Sequence, residues 1–148
     1  MEKFQENLEN AKQYFKTAEH MTYVSMQILK DTRLLIKILE QMHKSLMFMI
    51  KSLLQFEHNK GLYLYKNSEL NFNIFKQKIA PKYLRQQDIE NILEIINLKQ
   101  AHSLSLSEFV KNDKFVLFLG DNYEVLTLEK IKSLLISLKK LIFIPILR

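Results

Sequence analysis

Gly61, Pro81, Gly120 and Pro145 are the only glycines and prolines in 148 residues, where the two types together average about 12% of a globular chain. A chain so poor in turn-formers reverses direction in few places and has little room for long loops or flexible linkers. Apolar residues make up 47% of it, which suits one core burying roughly two thirds of the unfolded surface. The expectation is a single helical domain over residues 1–148.

Phe4, Leu8, Ala11, Phe15, Ala18 and Met21 recur at steps of three and four and continue to Ile28 and Leu29, predicting one helix over 3–29. Ala11 and Ala18 would let a neighbouring helix approach closely. Asp31 is a candidate N-cap for a second long helix ending near Lys60, where Gly61 can take the left-handed C′ conformation. With almost no linker between them, the two helices bury more by folding back as an antiparallel pair than by continuing as a rod. A shorter helix is expected from Leu70 to Ile79, stopped by Pro81. A fourth runs from Gln86 to about His102 with Ile89, Ile92, Leu93 and Ile96 on its core face, and "SLSLSEF" punctuates it. Next, "KFVLFL" and "YEVLTL" are short, aromatic and β-branched around a "GDN" turn, which predicts a β-hairpin. A lone hairpin is marginal in water, so Phe115, Leu117 and Val125 are expected to anchor it to the helices. Thr127 would cap a last helix from Leu128 to about Ile144, with Pro145 limiting it. The fold expected is mainly α: a four- to five-helix up-and-down bundle with two long antiparallel helices and a small β-hairpin before the last helix.

Several chemistries lack their residues. The chain has no cysteine, which removes disulfides, thiolate nucleophiles and cysteine-ligated metals and fits a reducing, cytoplasmic setting. His20, His43, His58 and His102 are scattered, without the paired spacing of a zinc site, so no metal is expected. The two isolated glycines make no phosphate loop, and no cofactor is expected. Ser105 and Ser107 in "LSLSEF" read as helix caps rather than nucleophiles, and Glu90 with Glu94 as an ordinary solvated helix face. The N-terminus is charged and amphipathic, unlike a secretory signal, so the mature chain is expected to begin at Met1. Lys44, Lys51 and Glu57, and then Lys139 and Lys140, interrupt the apolar stretches before they reach membrane-spanning length.

The formal charge of +6 is spread along the chain. Nine Lys/Arg face seven Asp/Glu in residues 1–60, and thirteen face nine in 61–148. Lys130, Lys132, Lys139 and Lys140 on the last helix are the candidate nucleic-acid contacts. Beside the main apolar face of the fourth helix, Asn91, Ile95, Leu98 and His102 form a second stripe, which would put His102, with Lys99, at the margin of a groove. In the second helix Lys37, Gln41, Lys44, Lys51, Gln55 and His58 share a polar stripe with Phe48 at its centre. Phe48 with Met47, flanked by the stems of Lys44 and Lys51, is therefore the candidate protein interface.

The layout of two long antiparallel helices followed by shorter ones, together with "EFVKNDKFVLFLGDNYEVLTLEK", resembles the HEPN superfamily and in particular its small archaeal helical-bundle members. That resemblance implies a four- or five-helix bundle, often dimeric, acting as a ribonuclease, as a partner of nucleotidyltransferases, or as an inactive binding module. The ribonuclease branch carries an Arg followed four to six positions later by a His. Here Arg33 precedes His43 by nine intervening residues and Arg85 precedes His102 by sixteen, so the motif is missing, and Lys99 with His102 is the nearest substitute. The function expected is a non-enzymatic helical interaction module, a homodimer or the partner of another protein. RNA or nucleotide binding, or ribonuclease activity, is the alternative. A weak membrane-surface contact through Phe143, Ile144 and Ile146 is a further one.

Overall fold

The computed structural model describes residues 2–144. Within them the chain forms five helices, with a three-stranded antiparallel sheet before the last. Helix α1 is Lys3–His20, continued through a π-helical turn at Met21–Ser25 and a last turn at Met26–Leu29. Helix α2 is Leu34–Asn59 and α4 is Gln86–Leu104. Between them α3 runs as Ser68–Ile74, a π-helical stretch Phe75–Ile79, and Ala80–Tyr83. Strands β1 (Ser107–Lys111), β2 (Lys114–Phe118) and β3 (Tyr123–Leu126) precede α5, Leu128–Ile142.

The α1–α2 pair is the frame. Phe4, Leu8, Ala11, Phe15 and Ala18 are buried in steps of four and three, opposite Leu35, Ile38, Met42, Ser45, Met49 and Ser52. Both rows keep the seven-residue repeat of helices packed along their length. Small residues set the separation. The Ser45 hydroxyl donates to the Ala11 carbonyl at 2.7 Å and the Ser52 hydroxyl to the Phe4 carbonyl at 2.6 Å. These bonds lock the antiparallel register and leave neither buried hydroxyl unsatisfied.

Each π turn has a local cause. Buried Thr22 donates its hydroxyl to the Ala18 carbonyl at 2.7 Å, competing with the backbone donor that carbonyl would otherwise take. The ladder widens there, and the Met26 N–H bonds to the Met21 carbonyl, five residues back. In α3 the Ala80 N–H likewise reaches back to Phe75. That widening explains why the helix does not stop at Pro81, as the sequence predicts: an ordinary turn would press the proline ring on the carbonyl four residues earlier. Helix α3 also begins before Leu70, because the Asn67 side chain caps the N–H groups of Glu69 and Leu70 at 2.8 and 3.1 Å.

Most other boundaries follow the sequence. Lys30 takes a left-handed φ of 50° to close α1; the Asp31 carboxylate accepts the Arg33 N–H at 3.0 Å in the turn before α2, but the N-cap position is Arg33, without a side-chain cap, rather than Asp31. Gly61, at φ 107°, ends α2, with the Gly61 and Leu62 N–H groups donating to His58 and Glu57. The Thr127 hydroxyl caps α5 by accepting the Lys130 N–H at 3.2 Å. Helix α5 ends at Ile142; Pro145 and Ile146 lie outside the described residues.

The hairpin is present, and it is larger than expected. β2 pairs with β3 as foreseen, but β1 pairs with β2 from Ser107↔Phe118 to Lys111↔Lys114. Ser105 and Ser107 are therefore not caps of a following helix: Ser107 opens a strand, and the Ser105 hydroxyl donates back to the His102 carbonyl at 3.0 Å. The overlooked turn is Asn112–Asp113, where Asn112 tolerates a φ of 58°. Phe115 and Leu117 join the main core as expected, with Leu126 as the β3 anchor. Val125 does not anchor the sheet. Its neighbour Leu126 pairs with inward-facing Phe115, whereas Val125 pairs with Val116 on the opposite face.

Two buried carboxylates tie helices together. Glu57 accepts the Tyr83 hydroxyl at 2.9 Å and lies 3.4 Å from the Lys82 ammonium. Burial, then the Glu57 hydrogen bond and charge, push the Tyr83 phenol up to about 12. Asp88 accepts the Ser137 hydroxyl at 2.8 Å and pairs with Lys140 at 3.3 Å. Burial alone would raise the Asp88 carboxyl, but bonds from Ser137 and Lys140 and the charges of Lys140 and Arg85 hold it below its ordinary value. A carboxyl depressed in the folded state stabilises above its unfolded value near pH 4 and loses that contribution as pH falls through the folded value. Asp88→Asn is expected to cost about 1–3 kcal/mol at neutral pH. In urea titrations the gap between wild type and variant should close on acidification below about pH 4; a gap that stays constant to pH 2 would remove Asp88 from the linkage.

Candidate functional site

At the candidate interface on α2, Phe48 has a neighbour within the chain. Phe48 is half-buried, its ring stacked on Tyr14 of α1 with centroids 5.7 Å apart and planes 7° from parallel. The Lys51 ammonium lies 5.4 Å from the Phe48 ring and the Lys44 ammonium 5.6 Å from that of Tyr14. Met47 is half-buried against the core. Phe48 thus sits on the shoulder of the α1–α2 seam rather than alone in a solvated stripe, because Tyr14 reaches over from the facing helix. A single helix's periodicity does not show that neighbour.

The four lysines of α5 do not form one basic face. Lys130 pairs with Glu94 of α4 at 3.0 Å, Lys140 with Asp88 of α4, and Lys139 with Glu19 of α1 at 3.4 Å. Lys132 lies 5.6 Å from the Tyr23 ring. They fasten α5 to its neighbours on both sides, and three of the four already have a carboxylate partner. Nor are Phe143 and Ile144 presented to a membrane: Ile144 is buried, and Phe143 packs edge-on against Phe15 at 5.9 Å. Among the described residues no helix is long and apolar enough to cross a bilayer.

His102 and Lys99 belong to a polar cluster where α2, α4 and β1 meet. The supposed second stripe is the core face itself, since Ile95 and Leu98 are buried, and His102 lies at its end. One nitrogen of His102, Nδ1, lies 2.9 Å from the Glu108 carboxylate on β1; the other, Nε2, lies 3.5 Å from Glu40 on α2. One turn after Glu40, the imidazole of His43 is held below its ordinary pKa, first by burial and then by the positive charge of Lys99. Glu40, His43 and Glu108 were missed by sequence reasoning. The legible signal is the matched three-residue spacing of Glu40 with His43 and Lys99 with His102 on two packed helices; Glu108 has none, because β1 was not foreseen.

Chemically the cluster is a clamp. Glu108 holds Nδ1 at hydrogen-bond distance, while Glu40 stands farther off, 3.5 Å from Nε2, so the two carboxylates flank the ring from opposite sides. Among the described residues no group of three or more His, Asp or Glu is placed to hold a metal ion. Arg33 pairs with Asp31 at 3.0 Å in the α1–α2 turn, and Arg85 lies beside Asp88 at the other end of α4; neither guanidinium joins His102.

The sheet presents the other unusual surface. Its inner face packs Phe115, Leu117 and Leu126 into the core. By register its outer face carries Phe109, Val116 and Val125 in one row across the three strands, of which Phe109 is exposed, Val125 half-buried and Val116 buried. Every residue of β1 is exposed. Phe109 is 46% exposed, Val110 43%, and the preceding Leu104 and Leu106 are 65% and 73%. Strand order β1-β2-β3 leaves β1 at an edge. The Asn112–Asp113 turn makes Lys111 and Lys114 a hydrogen-bonded pair. By alternation, the N–H and C=O groups of Glu108 and Val110 point away from β2. Compared with protein-family models, curated proteins and solved structures, the chain matches none.

Proposed function

We propose that this chain is a non-enzymatic interaction module that binds a protein partner through the free edge of β1 and the outer face of its sheet. The observation that carries the reading is the edge itself: a strand of five exposed residues, with Phe109 and Val110 at its centre between polar Ser107, Glu108 and Lys111, whose outward backbone groups have no neighbouring strand. Soluble proteins usually blunt such an edge, because it templates pairing with another chain. Tyr23, Val24, Ile28 and Leu29 at the end of α1 are also exposed, but a helix has already satisfied its backbone bonds, so that patch offers surface without a template. Within the HEPN-like resemblance, this reading corresponds to the binding-module branch. The missing Arg-to-His spacing and the carboxylate-paired lysines of α5 favour it over ribonuclease action or RNA binding.

The test is a photo-crosslinking amino acid placed at Phe109 and, as a control, at exposed Ser133 on α5, in cells that make the protein. A discrete protein adduct, with this chain or another, is expected from position 109 and not from 133. Purified chain should cleave no RNA, and His102→Ala should change nothing in that assay. Absence of any adduct from 109, or RNA cleavage that disappears with His102→Ala, would overturn the reading.

A further inference from the structure

The geometry points to a second copy of this chain as the partner: two β1 strands pair antiparallel across a two-fold axis, joining two three-stranded sheets into one of six strands. This rests on the interaction-module reading and adds the partner's identity and register. Two-fold symmetry requires that some residue face its own copy, since the alternating pair types of an antiparallel ladder cannot otherwise be equivalent. Phe109 is the central residue of Ser107–Lys111. Centring there overlaps the whole strand and sets each Glu108 opposite the Val110 of the second copy.

Three features fit that register. Glu108 and Val110 are the residues whose backbone groups point outward, so both of their cross-pairs are hydrogen-bonded and every free donor and acceptor on the edge is matched. The two Phe109 rings then meet as a non-hydrogen-bonded pair, the closer of the two pair types, where aromatic contacts stabilise most. Space is available too. Val110 shares the bundle-facing side with Phe115 yet stays 43% exposed, so β1 overhangs the helices and leaves room beside it.

A contact built on one five-residue strand lies at the small end of specific interfaces, below about 1,200 Å², so the dimer should be reversible. Sedimentation velocity of the purified chain from micromolar to millimolar concentration is expected to show the mass rising from one chain towards two. Phe109→Glu should hold it at one chain while helical circular dichroism is unchanged. Val110→Pro removes one outward donor without touching the bonds to β2 and should do the same, so it decides the matter if Phe109→Glu misfolds. A wild-type mass fixed at one chain throughout would overturn self-pairing, as would a dimer that survives in the folded variants. The module reading itself would still stand if position 109 crosslinks to a different protein, and would fall with self-pairing if it crosslinks to none.

Discussion

Phe115→Ala is expected to lower the melting temperature by roughly 6–20 °C, from about 3–5 kcal/mol at 2–4 °C per kcal/mol in a chain of this size. Phe115 is only 7% exposed, and it does two things at once. It extends the core past the helices and holds the central strand, to which β1 and β3 are both hydrogen-bonded. Truncating it leaves a cavity under the sheet that the backbone cannot close without breaking the registers on either side. Thermal denaturation followed at a helical wavelength checks this. An unchanged transition would mean that the sheet is an appendage whose inner face contributes nothing to the bundle.

Ala11→Leu should be nearly as damaging, about 3 kcal/mol, for the opposite reason. Ala11 is completely buried, and the 2.7 Å bond from Ser45 to its carbonyl fixes how closely α1 and α2 approach. Three more carbons cannot enter that seam unless the helices part, which would strain or break the Ser45 and Ser52 bonds together. Glu9→Leu, two positions away on the exposed face, adds an apolar residue without entering the seam and should stay within about 0.5 kcal/mol of wild type. Equal effects from the two substitutions, measured by urea denaturation, would show that the seam is not closely packed.

What the sequence revealed of this fold was what periodicity and turn chemistry encode locally. The alanine spacing at 11 and 18 correctly foreshadowed a close helix pair, and Gly61 and Thr127 marked helix ends where the structure has them. The errors are non-local or competitive. Pro81 should break a helix, but a π turn upstream widens the backbone around it. "SEFVK" follows serines that read as helix caps and has only Asn112–Asp113 after it, so its own pattern does not announce a strand, and with it goes the Glu108 partner of His102. Phe48 was singled out by its own helix's pattern, whereas its environment is decided by Tyr14, 34 positions away in the chain. The edge of β1 was illegible for the same reason: which strand lies outermost depends on pairing order, which no single strand's sequence states.

Backbone amide hydrogen exchange, read residue by residue in dilute and concentrated protein, tests most directly that β1 is the contact surface. At low concentration the N–H groups of Glu108 and Val110 should exchange rapidly, while those of Phe109 and Lys111, bonded to β2, are protected. Raising the concentration should slow Glu108 and Val110 selectively and leave α1, α2 and α5 as they were. Protection that instead grows around Phe48 and Lys51, or along the α5 lysines, with Glu108 and Val110 unchanged, would place the contact elsewhere and contradict an interaction surface on the sheet.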